Sequence, residues 1–196
     1  MTRWWLVVVL ATAAGALPTT SFGQPPAQVT PRPLWAVDDT WTYIGPGGAS
    51  FTFTVREVAA DHYTLEDHSG PNVSTFQVGF DFSPSWFARF QWPLQMNERW
   101  SFDTEGPAGN DASGTNKFTT TSVVDAYEAV TVPAGTFDAY RIKGSQCNQT
   151  QQGRCGEFLV WYAPRVKSYV KISWVTTDYW GATAGKSSEL LSFQVH

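Results

Sequence analysis

Short stretches in which apolar and polar residues alternate one for one, each closed by glycine and proline, commit this chain to β-structure. In Phe51-Thr52-Phe53-Thr54-Val55-Arg56, the residues Phe51, Phe53 and Val55 share one side and the polar residues the other, because successive strand side chains point to opposite faces. Tyr63-Thr64-Leu65-Glu66 repeats the pattern, as do Val170, Ile172 and Trp174, and then Leu191, Phe193 and Val195. Between them lie the turn clusters Gly45-Pro46-Gly47-Gly48, Ser69-Gly70-Pro71-Asn72, 106–111 (GPAGND) and 181–185 (GATAG). Strands at short, regular spacing with turns between them predict an antiparallel all-β domain. No 11-residue window keeps a clean 3.6-residue period, so little or no helix is expected after the N-terminal segment.

The hairpins can be placed. In Val132-Pro133-Ala134-Gly135, proline is preset for the second position of a β-turn and glycine suits the fourth. That turn links a strand through Tyr127–Thr131 to one through Phe137–Ile142. A polar loop then reverses the chain into Phe158–Tyr162, and Pro164 ends that strand because it cannot donate to a ladder. There is also a faint internal echo. Asp39-Thr40-Trp41-Thr42-Tyr43 matches Glu98-Arg99-Trp100-Ser101-Phe102, and each is followed by a Gly/Pro loop and a Thr/Phe strand.

The N-terminus reads as an export signal. Arg3 precedes the apolar run Trp4–Leu17, Pro18 breaks it, and Ser21-Phe22-Gly23 supplies small residues at the positions a signal peptidase reads. The run of 14 residues falls short of the roughly 20 that span a bilayer. Residues 1–23 are therefore expected to be a signal peptide cleaved after Gly23. Residues 24–34 then form a proline-rich linker, residues 35–196 one β domain, and the address is periplasmic or secreted. Loss of Arg3 moves the net charge from −4 to −5. A modestly acidic balance argues against nucleic acid, which demands a clustered basic footprint. Cys147 and Cys155 are the only two cysteines, and in an exported chain they read as a disulfide.

Val132–Ile142 (VPAGTFDAYRI), Trp161–Val166 (WYAPRV) and Tyr169–Ile172 (YVKI) together resemble an uncharacterised family of exported bacterial proteins, a domain of unknown function. Trp92–Ser101 is similar to the family's apolar-Pro-Leu, polar turn, Trp-Ser segment, Asp39–Tyr43 to its opening strand and Glu189–Phe193 to its closing one. Met96-Asn97-Glu98 departs from the glycine turn usual there, although asparagine tolerates positive φ. The resemblance implies a single antiparallel, strongly curved sheet or open β-barrel like those of periplasmic lipoprotein carriers. It brings no catalytic residue with it.

The chemistry-bearing residues are sparse. His62 and His68 flank one strand and have Asp61 and Asp67 beside them, but no third ligand stands at motif spacing. No Gly-x-Ser-x-Gly is present, and nothing in the spacing of Asp38, Asp39, Asp61, Glu66, Asp67 and Asp81 selects a catalytic pair. No catalytic residue, metal or cofactor is expected. The unusual segment is Phe76–Trp92, where seven aromatic rings are accompanied only by the charges of Asp81 and Arg89. Some rings must fill the core, and the surplus could line an apolar cavity. The candidate ligand-binding residues are Phe80, Phe82, Trp86, Phe87, Phe90 and Trp92. The expected function is an exported, non-catalytic binding module for an apolar or amphipathic small molecule or an envelope protein. A carboxylate-dependent hydrolase or carbohydrate-active protein and a structural envelope protein stay open as alternatives.

Overall fold

The structure, a computed structural model, describes residues 29–70, 72–80, 89–107, 115–150, 154–175 and 187–196. The expected signal segment, residues 1–23, and its expected cleavage site lie outside the described residues. Ten strands are present among the described residues: β1 (Thr40–Ile44), β2 (Ser50–Val58), β3 (His62–Asp67), β4 (Ser74–Gly79), β5 (Arg99–Pro107), β6 (Thr115–Val132), β7 (Gly135–Asn148), β8 (Arg154–Ala163), β9 (Ser168–Trp174) and β10 (Ser187–Gln194). They form one antiparallel sheet in the order β4-β3-β2-β1-β10-β9-β8-β7-β6-β5, which is not closed. Two meanders, β1–β4 and β5–β10, are thus joined where β1 pairs with β10. The expected all-β, open and curved sheet is what the chain forms. Its only described helical element is a 3-10 turn at Pro164–Val166, started by the proline predicted to end β8.

The curvature is visible in contacts that skip strands. The turn at Ala134, between β6 and β7, donates its N–H to Leu190 O of β10 at 3.0 Å. Phe137 of β7 meets Phe193 of β10 with ring centroids 5.7 Å apart. Three strand steps would separate β7 from β10 by roughly 14 Å in a flat sheet. The sheet must therefore curl until its core-side residues touch.

The short sequence echo is a structural repeat. Asp38 and Asn97 both take left-handed backbone, with φ of 69° and 65°. Asp38 N–H donates to Val55 O and Val55 N–H to Asp39 O, both at 2.9 Å, while Asn97 N–H donates to Val124 O at 2.9 Å and Val124 N–H to Glu98 O at 3.0 Å. Each valine is followed by a one-residue bulge, at Arg56 and at Asp125. Each bulge residue makes a two-bond ion pair to the next strand: Arg56 to Glu66 at 2.9 and 2.7 Å, Asp125 to Arg141 at 2.9 and 3.2 Å. The sign of the pair is exchanged between the copies. Trp41 and Trp100 are buried at matching places, and so are Tyr63 and Tyr140, whose hydroxyls bond Trp35 N–H and Thr30 Oγ1. Asn97 thus occupies an αL position, as the tolerance of asparagine for positive φ allows.

At one end β10 splays from β9, with paired residues only from Ser187 to Glu189. Side chains bridge the gap. Trp41 Nε1 donates to Val166 O and Trp35 Nε1 to Lys167 O, both at 2.8 Å, while Tyr43 stacks on Tyr169 at 4.2 Å. Asp39, fully buried, accepts from Ala36 N–H at 3.0 Å, His196 N–H at 2.8 Å and Lys167 Nζ at 3.4 Å. A buried carboxylate survives only with such partners.

Two sequence expectations need correcting. Leu191, Phe193 and Val195 do not share a face, because Leu191 is the extra residue of a bulge opposite Thr42–Tyr43. The bulge turns Leu191 outward at 43% exposure and lets Leu190 fill the core. The end of the expected linker also belongs to the fold. Thr30 pairs with Leu94, and Arg32 lies 4.0 Å over the Phe80 ring. The disulfide is as expected. Cys147 and Cys155 sit directly opposite on β7 and β8.

Gly144 is covered by the ring of its cross-strand neighbour Phe158, and a Cβ there would lie 2.1 Å from that ring. Gly144→Ala is expected to cost about 1–3 kcal/mol in urea unfolding by forcing the ring aside. Cys147→Ser with Cys155→Ser is expected to cost about 2–3 kcal/mol, the chain-entropy value for so short a loop.

Candidate functional site

The core face of the second meander is built by simple alternation along β5–β9. Cross-strand register sets Trp100, Ser122, Gly144, Phe158 and Trp174 in one row. The next row holds Phe102, Thr120, Gln146 and Gly156, and Phe118 pairs with Asn148 beyond it. Below these rows, Val124, Ile142, Val160 and Ile172 make an aliphatic floor. The buried side chains of the upper rows are mostly neutral and polar: Asn116, Thr120, Ser122, Gln146 and Asn148 are all at or below 6% exposure.

The repeat shows how unusual this is. Val55 and Val124 correspond, so Phe53 corresponds to Ser122 and Phe51 to Thr120. Where the first copy packs phenyl rings, the second buries hydroxyls. Burying a hydroxyl instead of a ring gives up apolar burial and demands a hydrogen bond. Gln146 Nε2 donates to Thr120 Oγ1 at 2.9 Å, and Asn148 Oδ1 accepts from Thr150 N–H at 2.8 Å. Gln146 Oε1 is buried and accepts no hydrogen bond among the described residues, a state that costs about 1–3 kcal/mol. The disulfide lies one residue from both amides on the opposite face. It pins the end of the β7–β8 hairpin at the register that turns Gln146 and Asn148 inward.

The aromatic segment crosses from β4 at one sheet edge to β5 at the other. Phe80, Phe90 and Trp92 are brought together there, but mainly as packing. Phe90 is 4% exposed, and the rings of Phe90 and Trp92 both stand edge-on to Tyr162 at 5.2 Å. Phe80 packs on Tyr63 at 4.9 Å, and its carbonyl accepts from Trp92 Nε1 at 3.2 Å. Phe82, Trp86, Phe87 and Asp81 lie outside the described residues. Arg89 belongs to the site, since its carbonyl accepts from Trp100 Nε1 at 2.8 Å and its guanidinium lies 5.3 Å over the Phe102 ring. Sequence reading missed the polar rows because alternation in β6 and β7 gives polar residues on both faces. Only the register shows which ones turn inward.

Of the carboxylates considered for catalysis, Asp38 and Glu66 engage Arg56, Asp61 bonds His62, Asp67 accepts from Ser69 N–H, Asp39 is buried at the entry to β1, and Asp81 lies outside the described residues. The carboxylates of β5, β6 and β10 project away from the polar rows. Asp125 and Glu128 engage Arg141, Glu128 also accepts from Trp161 Nε1 at 2.8 Å, Asp103 accepts from Thr119 Oγ1 at 2.8 Å, and Glu189 pairs with Lys171 at 2.8 Å. The two histidines flanking β3 do not converge. His62 bonds Asp61 at 2.7 Å and His68 bonds Glu66. Among the described residues no group of three His, Cys, Asp or Glu is placed to hold a metal ion.

Comparison with known proteins finds only distant structural neighbours. No family model and no curated protein matches the chain. Among solved structures, a candidate lipoprotein of Parabacteroides distasonis aligns over 85% of this chain and 100% of its own, at 13% identity and a TM-score of 0.45. A candidate exported protein of Bacteroides fragilis with a YmcC-like fold aligns over 86% of this chain and 100% of its own, at 12% identity and a TM-score of 0.41. At such values neither neighbour bears on what this chain binds.

On the outer face, hydrogen bonds from Arg56 and then His68 hold the Glu66 carboxyl down at about 2, against an ordinary value of 4.5. A depressed folded value means that this pairing supports the fold fully above pH 4.5 and is lost as pH falls from there toward about 2. Carbon-detected NMR titration should place the Glu66 midpoint near 2. Arg56→Ala should move it up toward the ordinary value, and an unmoved midpoint would contradict the assignment.

Proposed function

We propose that this protein is an exported, non-catalytic binding module that holds an uncharged, amphipathic molecule carrying hydroxyl or amide hydrogens against the core face of β5–β8. The observation that carries the reading is the buried Gln146 carbonyl oxygen, without a hydrogen-bond partner among the described residues, beside hydroxyls where the first repeat has rings. A ligand hydrogen donated to Oε1 would remove the desolvation cost of that acceptor. The rings of Trp100, Phe102, Phe118 and Phe158 border the polar rows and offer apolar contact for the rest of the molecule. The disulfide supports an extracytoplasmic setting, as does the signal-like N-terminus. No described helix is long and apolar enough to cross a membrane.

Binding rather than hydrolysis is favoured by where the charges stand. The carboxylates of β5, β6 and β10 are turned outward and engaged in ion pairs or hydrogen bonds. The strands contribute neutral groups to the face opposite them. A hydroxyl-bearing neutral molecule suits such a lining, because neither partner must bury a net charge.

Native mass spectrometry of protein released gently from the periplasm tests the reading. The expected spectrum carries an uncharged adduct, and Gln146→Leu should lower its occupancy by about two- to tenfold, the worth of one neutral hydrogen bond. An adduct-free spectrum, with Gln146→Leu more stable than the parent chain, would mean the polar rows are only a buried defect and would end the proposal.

A further inference from the structure

The repeat also exposes an asymmetry at the sheet edges. In the first copy, β1 is hydrogen-bonded on both sides, by β2 and, antiparallel, by β10. Its counterpart β5, matched through Trp41 and Trp100, is bonded by β6 on one side. On its other side β5 is the end of the sheet. Among the described residues nothing does for β5 what β10 does for β1. The strand is nine residues long, and unpaired backbone N–H and C=O groups along such an edge are a template for another strand.

We propose that this edge pairs with β5 of a second copy, antiparallel about Phe102, so that two sheets continue as one across a dimer. The occupant follows from the charges along the strand. Arg99, Ser101, Asp103 and Glu105 lie on the outer face and are exposed, while Trp100, Phe102 and Thr104 turn to the core side. Antiparallel pairing centred on Phe102 sets Arg99 opposite Glu105 of the second copy at each end, and Ser101 opposite Asp103. On the core side it sets Trp100 opposite Thr104 and Phe102 opposite itself. Opposite charges facing each other and aromatic side chains facing each other are the pairs that stabilise adjacent strands. A two-fold axis through Phe102 makes the contact self-complementary, as a closed dimer requires. The other sheet edge, β4, is shorter at six residues and has no charged side chain to set such a register. Backbone pairing over one strand buries less area than a standard stable interface, so the dimer is weak and dependent on concentration.

Sedimentation velocity on the mature protein, from about 1 to about 300 µM, decides the matter together with three variants. The parent chain should shift from monomer to dimer across that range. Arg99→Glu and Glu105→Arg should each weaken the dimer at least tenfold by setting like charges opposite at both ends. The double variant should restore it, because the opposition is re-created with exchanged signs. Both positions are exposed and the 3.7 Å Glu105–Lys117 pair lies on the surface, so thermal melts at monomeric concentration should change little in all three. A parent chain that stays monomeric throughout overturns the proposal. So does a dimer unaffected by either single reversal, or one that the double variant fails to restore.

Discussion

Pairing of the first strand with the last holds this molecule together, and a buried carboxylate secures it. Without the β1–β10 ladder the chain would be two meanders, of four and six strands, each with a core side it could not cover alone. Asp39 stands at that seam and ties three distant segments to one point: the approach to β1 through Ala36, the end of the chain through His196, and the corner between β8 and β9 through Lys167. The indoles of Trp35 and Trp41 fasten the same corner through its carbonyls. Removing one partner from such a cluster leaves a charge or a carbonyl buried and unpaired, so the seam resists loosening in steps.

Once the seam is fixed, the two copies of the repeat divide the work. The first copy is packed conventionally, with Tyr43, Phe53, Val55, Tyr63 and Leu65 buried on its core side. The crossover rings Phe90 and Trp92 then settle on Tyr162 and close the middle of the curl. The second copy keeps the same frame of αL entry, valine, bulge and buried tyrosine, but replaces rings by Thr120 and Ser122. In the proposed function, this shared frame with two different linings lets one half serve stability and the other the ligand. The first copy supplies the packing that lets the second carry an unpaired acceptor.

Much of the scaffold was legible because strand periodicity and turn chemistry are local. The hairpin about Pro133-Ala134, the end of β8 at Pro164 and the disulfide could be placed from neighbouring residues alone. What could not be read depended on long-range register. Leu191 faces outward because a bulge slips β10 by one residue against β1, and a slip of one exchanges the two faces. The same limit hid the site. Thr119 and Thr120, or Ser145 and Gln146, are equally polar in sequence, and only pairing with Phe102 and Gly156 shows which members turn inward. The aromatic segment was recognised as unusual, and its described rings serve the core. The repeat was audible in Asp39–Tyr43 and Glu98–Phe102, but its strongest marks are backbone bonds and φ values that no side-chain pattern encodes.

In the proposed function, the uncharged rows of β6 and β7 form a binding surface. A high-resolution crystal structure of protein purified, without refolding, from the cells that make it tests this most directly. A bound molecule is expected, with a hydrogen-bond donor within about 3 Å of Gln146 Oε1 and its apolar part against Trp100, Phe102 or Phe158. A face closed by protein alone, with Oε1 bonded to another residue of the chain, would contradict it.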